Sequence, residues 1–331
     1  MMTLYVISGA AGMTGNELSR QLYRHNYVIG FDNFFCSSVH TIADLLGDDN
    51  FEFHEWDIND AEQMMNLKNR VIELKTLYSR IVYINCAAIV HTEYFYHVNS
   101  TFETNVIGMK SLLEQAIDVG ADTYINCSTS EVYSMQSWSE DGVKESDYIS
   151  MSTAEHSQRT SYAAGKLMTE FFMKDAVDKG LIKGCSLRFA NVYSKNELQP
   201  KHIIPHIINE LITKNGVTLL ENSKINKRTF LHNIDSCAAV IELINTNTAL
   251  DGSIYNVATD EEVSIIELVN ICAQKLGIDN PEIVFEGYRE NDPVRRVLNT
   301  DKIRTKTNWK PTISLMQGIE MIVEDKKKCE F

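Results

Sequence analysis

A short segment of this chain places hydroxyl and carboxylate groups side by side. Residues 128–131 read Ser-Thr-Ser-Glu and follow DTYINC, an apolar run with the composition of a buried strand. Open α/β sheets bind their ligands at the carboxyl ends of the strands. The segment therefore predicts a site in which Thr129 and Ser130 supply hydroxyls and Glu131 supplies a carboxylate for proton transfer.

A second pair of reactive side chains lies in the segment SYAAGKL. Tyr162 and Lys166 are four residues apart, so on a helix they share one face. A lysine ammonium next to a tyrosine favours the phenolate and lowers the pKa of the phenol. Tyr162 is therefore predicted to act as a general base. A surface tyrosine and lysine on an ordinary helix would show the same spacing.

Glycines between the first strand and the first helix form a third motif. GAAGMTG places Gly9, Gly12 and Gly15 directly after the apolar run TLYVIS. Glycines permit a sharp turn and let a pyrophosphate approach the helix N-terminus, where free N–H groups favour an anion. The spacing differs from the common GxGxxG pattern, and an ordinary strand-to-helix turn also uses glycines.

The acid that ends the second strand indicates which dinucleotide would bind. Asp32 ends YVIGFD, near the position at which a carboxylate binds the adenosine ribose, and no arginine follows closely to accept a 2′-phosphate. This favours NAD over NADP. Alternatively, Asp32 is a turn residue that caps DNFF. Asp57, which ends FEFHEWD, is predicted to lie at the adenine edge or simply in a loop.

An alternation of strands and helices positions these motifs. The strand candidates are TLYVIS, YVIGFD, FEFHEWD, RIVYINCA, DTYINC and GCSLRF, and helical patterns such as NELSRQLYRH and VIGMKSLLEQAIDVG separate them. This alternation predicts an α/β fold with a doubly wound parallel sheet. From about Asn191 the pattern is less regular and predicts a smaller, mixed C-terminal lobe.

Composition argues against several other classes of protein. The net charge of −14 disfavours a nucleic-acid surface, because phosphate binding requires clustered lysine and arginine. The seven cysteines include no CxxC pair, so neither a disulfide framework nor a metal site is predicted. The absence of a secretory pattern and of a membrane-length apolar stretch predicts a cytoplasmic protein without a membrane partner.

Together the motifs resemble the NAD-dependent epimerase/dehydratase family of extended short-chain dehydrogenases/reductases, which acts on nucleotide sugars. The matching segments, which cover nearly the whole chain, are GAAGMTG, Asp32, INCAA, FETNVIG with Asn105, STSEVY, YAAGK, LRFANVY, RTFLHNID and NWKP. The resemblance implies a Rossmann fold, a nucleotide-sugar substrate and bound NAD, whose positive nicotinamide would help to lower the pKa of Tyr162.

The resemblance also implies roles for individual residues. Thr129 would hydrogen-bond the sugar 4-hydroxyl beside Tyr162, and Lys166 would support both. The implied cofactor-binding residues are Gly9, Gly12, Met13, Gly15, Asp32, Asn33, Asp57, Ile58, Ala87, Ala88, Asn105, Tyr162 and Lys166. The implied substrate-binding residues are Asn191, Arg228 and Arg296. Alternatively, Arg228 pairs with a surface acid and Arg296 is solvated.

The reaction expected by resemblance is 4,6-dehydration of a UDP-sugar such as UDP-N-acetylglucosamine or UDP-glucose. Glu131 would remove the C5 proton after C4 is oxidised, a step that simple 4-epimerases do not need. Two residues depart from the family pattern: Ser130 replaces the aspartate of many dehydratases, and Ser134 replaces a glycine. UDP-glucuronate decarboxylation, with Arg296 holding the carboxylate, ranks second and 4-epimerisation third. A NAD-binding regulator with an inactive site is the non-enzymatic alternative.

The resemblance predicts two domains and a second subunit. Residues 1–190 and 229–259 are assigned to the NAD-binding domain, and residues 191–228 and 260–331 to the nucleotide-sugar-binding lobe. Two helices per chain would build a homodimer. The apolar stripe of NVIGMKSLLEQAI is predicted to face the other subunit or to pack within the monomer.

Overall fold

Parallel strands with helices on both faces form the larger part of the molecule. The computed structural model describes residues 2–134, 141–158, 160–290 and 292–329. The strands are β1 (Thr3–Ser8), β2 (Tyr27–Asp32), β3 (Phe51–Glu55), β4 (Arg80–Asn85), β5 (Thr123–Thr129), β6 (Lys183–Phe189), β7 (Asn191–Tyr193), β8 (Gly216–Leu219), β9 (Lys227–His232), β10 (Asp251–Val257), β11 (Glu262–Ser264), β12 (Glu282–Phe285) and β13 (Arg295–Arg296). The helices are α1 (Met13–Leu22), α2 (Ala61–Leu74), α3 (Val98–Phe102), α4 (Met109–Val119), α5 (Thr160–Asp178), α6 (Ile203–Lys214), α7 (Asn233–Asn245), α8 (Ile265–Leu276), α9 (Asp301–Lys306) and α10 (Leu315–Cys329).

The main sheet has seven strands in the order β3-β2-β1-β4-β5-β6-β10. Each neighbouring pair is parallel, as the register of β1 with β2 and β4 illustrates. Parallel strands need crossover connections, and here helices supply them on both faces of the sheet. This topology confirms the predicted doubly wound α/β fold with an additional smaller lobe.

The apolar strand residues alternate between two cores, one on each face of the sheet. Leu4 and Val6 of β1 pack with Leu67 of α2 and Leu112 of α4. Tyr5 and Ile7 point to the opposite face, into a cluster that contains Leu18 and Leu243. Burial of one such side chain contributes about 1.5–3 kcal/mol. The apolar stripe of the helix α4 is therefore buried within the monomer, which was one of the two alternatives for it.

The chain reverses its winding direction at β1 and β4, which are neighbours in the centre of the sheet. Helices that follow β1 and β4 cover opposite faces, so the loops at the two carboxyl ends diverge and leave a crevice. The sequence motifs at positions 9–15, 32, 86–88 and 128–131 all lie at or directly after the carboxyl ends of strands of this sheet. The topology therefore brings them to one edge.

Smaller sheets form the remaining lobe. Strands β7, β9, β11 and β13 make one sheet, and β8 and β12 pair separately in parallel. Apolar residues of α6, α8 and α10 pack against them. The predicted domain boundary at residue 228/229 lies inside β9, which pairs with the small sheet, whereas β10 returns to the main sheet. The division into two domains stays a prediction.

Local capping defines several helix ends near the sheets. The side chain of Ser264 accepts a hydrogen bond from the backbone of Glu267, whose carboxylate accepts one in return, and this capping box starts α8. Gly120 ends α4 in the left-handed conformation that glycine tolerates best. Among the described residues, none of the helices is long and apolar enough to span a bilayer.

Candidate active site

A cleft of about 1340 Å³ opens at the carboxyl edge of the main sheet. Loops that follow β1 to β5 line one side, and residues of the smaller lobe line the other. The predicted site residues in its wall are Gly9, Gly12, Met13, Gly15, Asp32, Asn33, Asp57, Ile58, Ala87, Ala88, Thr129, Glu131, Tyr162, Lys166, Asn191, Arg228 and Arg296. Two predicted site residues, Asn105 and Ser130, are absent from this wall.

The glycine loop has the geometry that a dinucleotide phosphate needs. Gly9 adopts a φ of 66°, and a Cβ atom on Gly15 would lie 2.1 Å from the Gly9 carbonyl oxygen. The loop backbone thus lies directly against the first turn of α1, where only glycine fits. The helix begins at Gly12 without a side-chain cap and without an acid in its first turn. Its N–H groups therefore remain available to an anion, which fits a pyrophosphate.

Asp32 caps the loop that follows β2, and its predicted role in binding ribose stays a prediction. One oxygen of its carboxylate accepts hydrogen bonds from Phe34 N at 2.9 Å and Ser37 Oγ at 2.8 Å, which caps the loop. The other oxygen accepts from Ala11 N at 3.1 Å and so ties the loop to the glycine motif. The residue also lies in the cleft wall, where a carboxylate fits ribose hydroxyls.

A hydrogen bond between side chains joins the ends of β2 and β3. Asn33 Nδ2 donates to Asp57 Oδ2 at 2.9 Å, and the other oxygen of Asp57 accepts from Asn59 N at 2.8 Å. Both residues line the cleft beyond Asp32. They form the end of the cleft at which the adenosine of a dinucleotide would lie.

Asn105 is buried behind the cleft wall. Its Oδ1 accepts from Ile89 N at 2.7 Å and its Nδ2 donates to Ile89 O at 3.0 Å. Both polar groups of the amide are therefore used by the loop that follows β4, which carries Ala87 and Ala88. The structure gives Asn105 a role in positioning this loop rather than the predicted place in the cofactor wall.

Tyr162 lies on α5 in a closely packed part of the cleft. Its ring stacks on Phe95 with centroids 4.1 Å apart. Burial raises the pKa of the phenol, the negative charge of Glu131 raises it further, and a hydrogen bond with Thr129 opposes the rise. In the protein alone the pKa of Tyr162 is therefore raised rather than lowered as predicted, because burial and the charge of Glu131 outweigh the hydrogen bond with Thr129. A positive charge entering the cleft beside the ring would oppose this effect.

Lys166 is one helical turn further along α5 and is almost fully buried. Its Nζ donates a hydrogen bond to the Cys127 carbonyl oxygen at 2.9 Å. Burial lowers the pKa of the ammonium, whereas the charges of the Cys127, Cys86 and Glu170 side chains raise it. The lysine thus fixes the end of β5, and it shares one face of α5 with Tyr162.

Thr129 and Glu131 meet Tyr162 at the end of β5. Thr129 Oγ1 accepts from Glu131 N at 3.2 Å, which turns the chain so that the Glu131 carboxylate enters the cleft. Ser130 is 3% exposed and outside the cleft wall. Its hydroxyl is therefore not placed to protonate a leaving group, although it was predicted to be catalytic.

Glu131 forms an ion pair across the cleft with Arg296 of β13. The two guanidinium Nη atoms face the two carboxylate oxygens, and the longer of the contacts is 3.4 Å. The Arg296 side chain is 7% exposed. Its Nε has no hydrogen-bond partner among the described residues, so one buried donor remains for a ligand.

Arg228 lies beside Arg296, because β9 and β13 pair with these residues in register. Its Nη2 donates to Asp292 Oδ1 at 3.1 Å and its Nη1 to the Val294 carbonyl at 3.2 Å. Burial lowers the pKa of Arg228. Arg228 thus pairs with an acid, as its alternative held, but both side chains of the pair are only slightly exposed, and Arg296 is buried rather than solvated. Two neighbouring guanidinium groups in the cleft wall fit a diphosphate.

Asn191 contacts the same strand from the other side. Its Nδ2 donates to the Thr229 carbonyl oxygen at 3.1 Å, which leaves the amide oxygen towards the cleft that Asn191 lines.

Asp292, which sequence reasoning missed, accepts hydrogen bonds from Asn226 and Arg228. Its neighbours in the NDP segment provide no periodic signal that would have identified it.

Glu170 is a second group that sequence reasoning missed, although its spacing offered a signal. It follows Lys166 by four residues and so continues the face of α5 that carries Tyr162. Its carboxylate accepts from Ser128 Oγ at 2.6 Å and pairs with Arg188 at 2.7 Å, and both charged side chains are nearly inaccessible. The pair supports the strand end that carries Thr129.

Comparison with known proteins agrees with this arrangement. The model of the "NAD dependent epimerase/dehydratase family" matches residues 5–258. The dTDP-D-glucose 4,6-dehydratase of Mus musculus is 23% identical over 96% of this chain and 87% of its own length. The UDP-glucuronic acid decarboxylase 1 of Arabidopsis thaliana is 26% identical over 97% of this chain and 69% of its own length.

A solved structure shows the same fold. The UDP-glucose 4-epimerase of Thermotoga maritima, crystallised with UDP-glucose, superposes with a TM-score of 0.84 at 21% identity, covering 99% of this chain and 100% of the other. The three similar proteins differ in their reactions. Similarity at this level therefore establishes the type of fold and leaves the reaction open.

Proposed function

This chain belongs to the NAD dependent epimerase/dehydratase family, and from that premise we propose that it is an NAD-dependent nucleotide-sugar 4,6-dehydratase acting on a UDP-sugar. The observation that supports the proposal is the Glu131 carboxylate in the cleft wall, close enough to Tyr162 for its charge to raise the phenol pKa. A base for the 4-hydroxyl and a base for C5 are thus side by side. Bound NAD would take a hydride from the sugar C4 and give it back at C6.

The proposed roles follow from the contacts of each side chain. Tyr162 accepts the proton of the 4-hydroxyl, Thr129 orients that hydroxyl, and Lys166 supplies positive charge beside the developing phenolate. The resulting ketone makes the C5 proton acidic, and Glu131 removes it. Because Ser130 is buried outside the wall, Glu131 then returns this proton to the C6 hydroxyl, which leaves as water. A solvent proton later replaces the one lost from C5.

The smaller lobe is proposed to hold the nucleotide. Arg228 and Arg296 would bind the two phosphates, and the Asn191 amide would contact the same group. Charge-assisted hydrogen bonds from arginine are strong and directional for phosphate oxygens. UDP-N-acetylglucosamine and UDP-glucose are the first substrates to test.

A cytoplasmic location is also proposed, supported by free thiols at the described cysteines.

One observation favours a second candidate, UDP-glucuronate decarboxylation. Arg296 contacts the Glu131 carboxylate in the protein alone and keeps a buried Nε donor without a partner among the described residues. A guanidinium in this position fits the carboxylate of a glucuronic acid at the sugar C6 equally well. In that reaction the C4 ketone would be followed by loss of carbon dioxide.

Product mass distinguishes the candidates. The purified protein is incubated separately with UDP-N-acetylglucosamine, UDP-glucose, dTDP-glucose and UDP-glucuronate in deuterated water. Loss of one water with one deuterium at C5 supports dehydration, loss of carbon dioxide supports decarboxylation, and an unchanged mass with inverted C4 supports epimerisation. No turnover of any of the four would contradict the proposed enzymatic function.

A substitution tests the role of Glu131. Glu131→Gln should reduce dehydration by about 10²–10⁴-fold, because an amide cannot accept the C5 proton. Binding of the substrate should change little, and oxidation at C4 should still produce an absorbance change near the nicotinamide band. Glu62→Gln, at an exposed position of α2, is the matched control. Dehydration at the normal rate by Glu131→Gln would remove this residue from the mechanism.

A further inference from the structure

Two cysteines lie next to each other in the floor of the cleft. Strands β4 and β5 are paired with Asn85 opposite Asn126, so Cys86 and Cys127 follow in register one residue later. Their sulfur atoms are 3.7 Å apart and form a thiol–thiol hydrogen bond. Both residues line the cleft. Neither sulfur has a role in the proposed reaction.

The surroundings distinguish the two thiols. The hydrogen bond from Cys86 lowers the pKa of Cys127, and the charge of Lys166 acts in the same direction. The same hydrogen bond, together with burial, raises the pKa of Cys86. Cys127 is therefore the better nucleophile, and Cys86 keeps a proton and lies within reach of it. This is the division of roles in reactive dithiols, in which one thiolate attacks and the second thiol resolves the product.

We propose that Cys86 and Cys127 form a peroxide-sensitive dithiol whose oxidation to a disulfide competes with dinucleotide binding in the cleft. The Cys127 thiolate attacks one oxygen of hydrogen peroxide, which breaks the O–O bond and yields a sulfenic acid and, after protonation, water. The Cys86 thiol then displaces the sulfenic hydroxyl, which leaves as a second water. Two thiols are oxidised by two electrons while one peroxide is reduced to two waters.

Disulfide formation requires only a small movement of the two sulfur atoms. The sulfurs must approach from 3.7 Å to about 2.05 Å, and neighbouring strand residues lie within the Cα separation that a disulfide accepts. The other cysteines in the same cores, Cys185 and Cys237, are fully buried. Cys36 lines the cleft, but burial raises the pKa of its thiol to about 11, with Asp32 and Glu93 adding to the effect.

The bond would disturb the residues that a dinucleotide needs. A Cβ atom on Gly9 would lie 2.8 Å from Ala87 N and 2.9 Å from the carbonyl carbon of Cys86, so the glycine loop packs directly on this strand end. The backbone of Cys127 accepts the hydrogen bond of Lys166. Because these groups are in direct contact, any backbone adjustment at Cys86 or Cys127 that accompanies the S–S bond shifts the Gly9 loop and the acceptor of Lys166. This consequence holds whichever sugar reaction the protein catalyses.

Mass spectrometry of the full-length protein tests the proposal. Reduced protein is treated with hydrogen peroxide, with and without saturating NAD, and digested under conditions that trap free thiols. We expect a peptide pair that links Cys86 to Cys127, reversed by dithiothreitol and formed more slowly with NAD. No link in the folded wild-type protein, or a link that forms only in denaturant, would overturn the proposal. If NAD does not change the rate at which the link forms, the proposed competition between the disulfide and the dinucleotide is overturned.

Variants assign the two roles. In Cys86→Ser, oxidation by peroxide should stop at a sulfenic acid on residue 127, which dimedone traps. In Cys127→Ser, the thiol of Cys86 should remain largely unoxidised. Cys36→Ser is the matched control and should still form the link. Trapping of residue 86 rather than residue 127 would contradict the assignment of the nucleophile.

Cofactor affinity provides a readout that does not depend on turnover. Binding of NAD to oxidised and to re-reduced protein is measured by calorimetry, with circular dichroism to verify that both are folded. Coupling between two sites typically changes affinity about 5–150-fold, and NAD should slow oxidation reciprocally. Equal NAD affinity in the two states would show that the disulfide, even if formed, does not regulate this cleft.

Discussion

In the protein alone, the pKa values of Tyr162 and Lys166 are shifted away from the values that base catalysis needs. Burial raises the pKa of Tyr162 and lowers that of Lys166, and both shifts disfavour the charged forms. Each pKa unit corresponds to about 1.4 kcal/mol of differential interaction between the two protonation states. The phenol is therefore uncharged at neutral pH in the protein alone, and it becomes a useful base only when further positive charge enters the cleft.

Ser134, which replaces a glycine of the family pattern, has a strained backbone conformation. It directly follows the Val-Tyr dipeptide of the catalytic loop and adopts a φ of 47°, a region that L-residues with a Cβ atom avoid. Such strained residues persist where the surrounding structure enforces them, and they often lie at functional sites. The serine is therefore a local source of strain close to Glu131.

Ser134→Gly should stabilise the protein. Relief of the strained φ outweighs the added flexibility of the unfolded chain, so the free energy of unfolding should rise by about 1 kcal/mol. Urea denaturation measures the change. Ser134→Ala keeps the Cβ atom and serves as the control, for which no gain is expected. A less stable glycine variant would show that the serine hydroxyl makes a compensating contact.

The helix α5 is the element that organises the chemistry. Tyr162, Lys166 and Glu170 recur every four residues, so one buried face of the helix carries the proposed base, a lysine and a carboxylate whose charge raises the pKa of that lysine. Glu170 is held by Arg188 and Ser128, and Arg188 lies over the Tyr133 ring at 4.7 Å. One helix face thereby connects to both strands, β5 and β6, at the edge where the cleft opens.

Glu170→Gln should affect both stability and the pH dependence of activity. Breaking a buried ion pair leaves Arg188 uncompensated and should lower the free energy of unfolding by about 3 kcal/mol. The charge of Glu170 also raises the pKa of Lys166. Its removal should lower that pKa further, so activity should decline at a lower pH on the alkaline side.

A surface pair provides the control for this prediction. Glu114→Gln breaks the exposed ion pair with Lys110 on α4 and should change stability by under about 1 kcal/mol. If active Glu170→Gln protein loses activity at the same alkaline pH as the wild-type protein, the carboxylate contributes to packing alone.

At the scale of the whole molecule, the cleft depends on contact between the main sheet and the smaller lobe. The Glu131–Arg296 ion pair joins residues 165 positions apart in the chain. His91 and Gln199 make a second connection, with side-chain nitrogens 2.9 Å apart. The proposed catalytic groups come from the main-sheet part and the proposed phosphate-binding groups from the smaller lobe, so relative movement of the two parts would change the distance between the base and its substrate.

The outer surface of the main-sheet region also carries an apolar face that a second subunit would cover. Phe102, Ile107, Met168 and Phe171 are each between 44% and 62% exposed, and the helices α3 and α5 that carry three of them are in contact. Exposed apolar side chains grouped in this way are typical of interfaces. They support the homodimer proposed by resemblance. Ile107 belongs to the segment first predicted to face a second subunit, whereas most of the apolar side chains of that segment are buried within the monomer.

Phe171→Glu tests the dimer. A charge in the centre of this face should convert a dimer of about twice 37.6 kDa into monomers in sedimentation experiments. Leu77→Glu replaces another exposed side chain, 70% accessible and outside this face, and should leave the mass unchanged. A wild-type monomer, or a dimer in both variants, would contradict the use of this surface.

The sequence by itself determined the architecture and the place of the site. Strand and helix periodicities are local properties of the chain, and a run of alternating strands and helices permits few topologies other than the parallel sheet. Motifs at successive strand ends must then meet at one edge, as Gly9, Asp32, Thr129 and Glu131 do. The doubly wound parallel sheet and the position of the site at its carboxyl edge followed from these rules, whereas the order of the strands was read from the structure.

Only the tertiary structure decided how individual side chains are used. It buried Ser130 and Asn105 outside the cleft wall, joined Glu131 to Arg296, and placed Cys86 beside Cys127. These outcomes depend on strand register, on side-chain rotamers and on partners that lie 16 residues away in sequence for Asn105, 41 for Cys86 and 165 for Glu131. Local periodicity contains no information about such contacts, because the free energy of burying a charge or an amide depends on which distant group arrives to satisfy it.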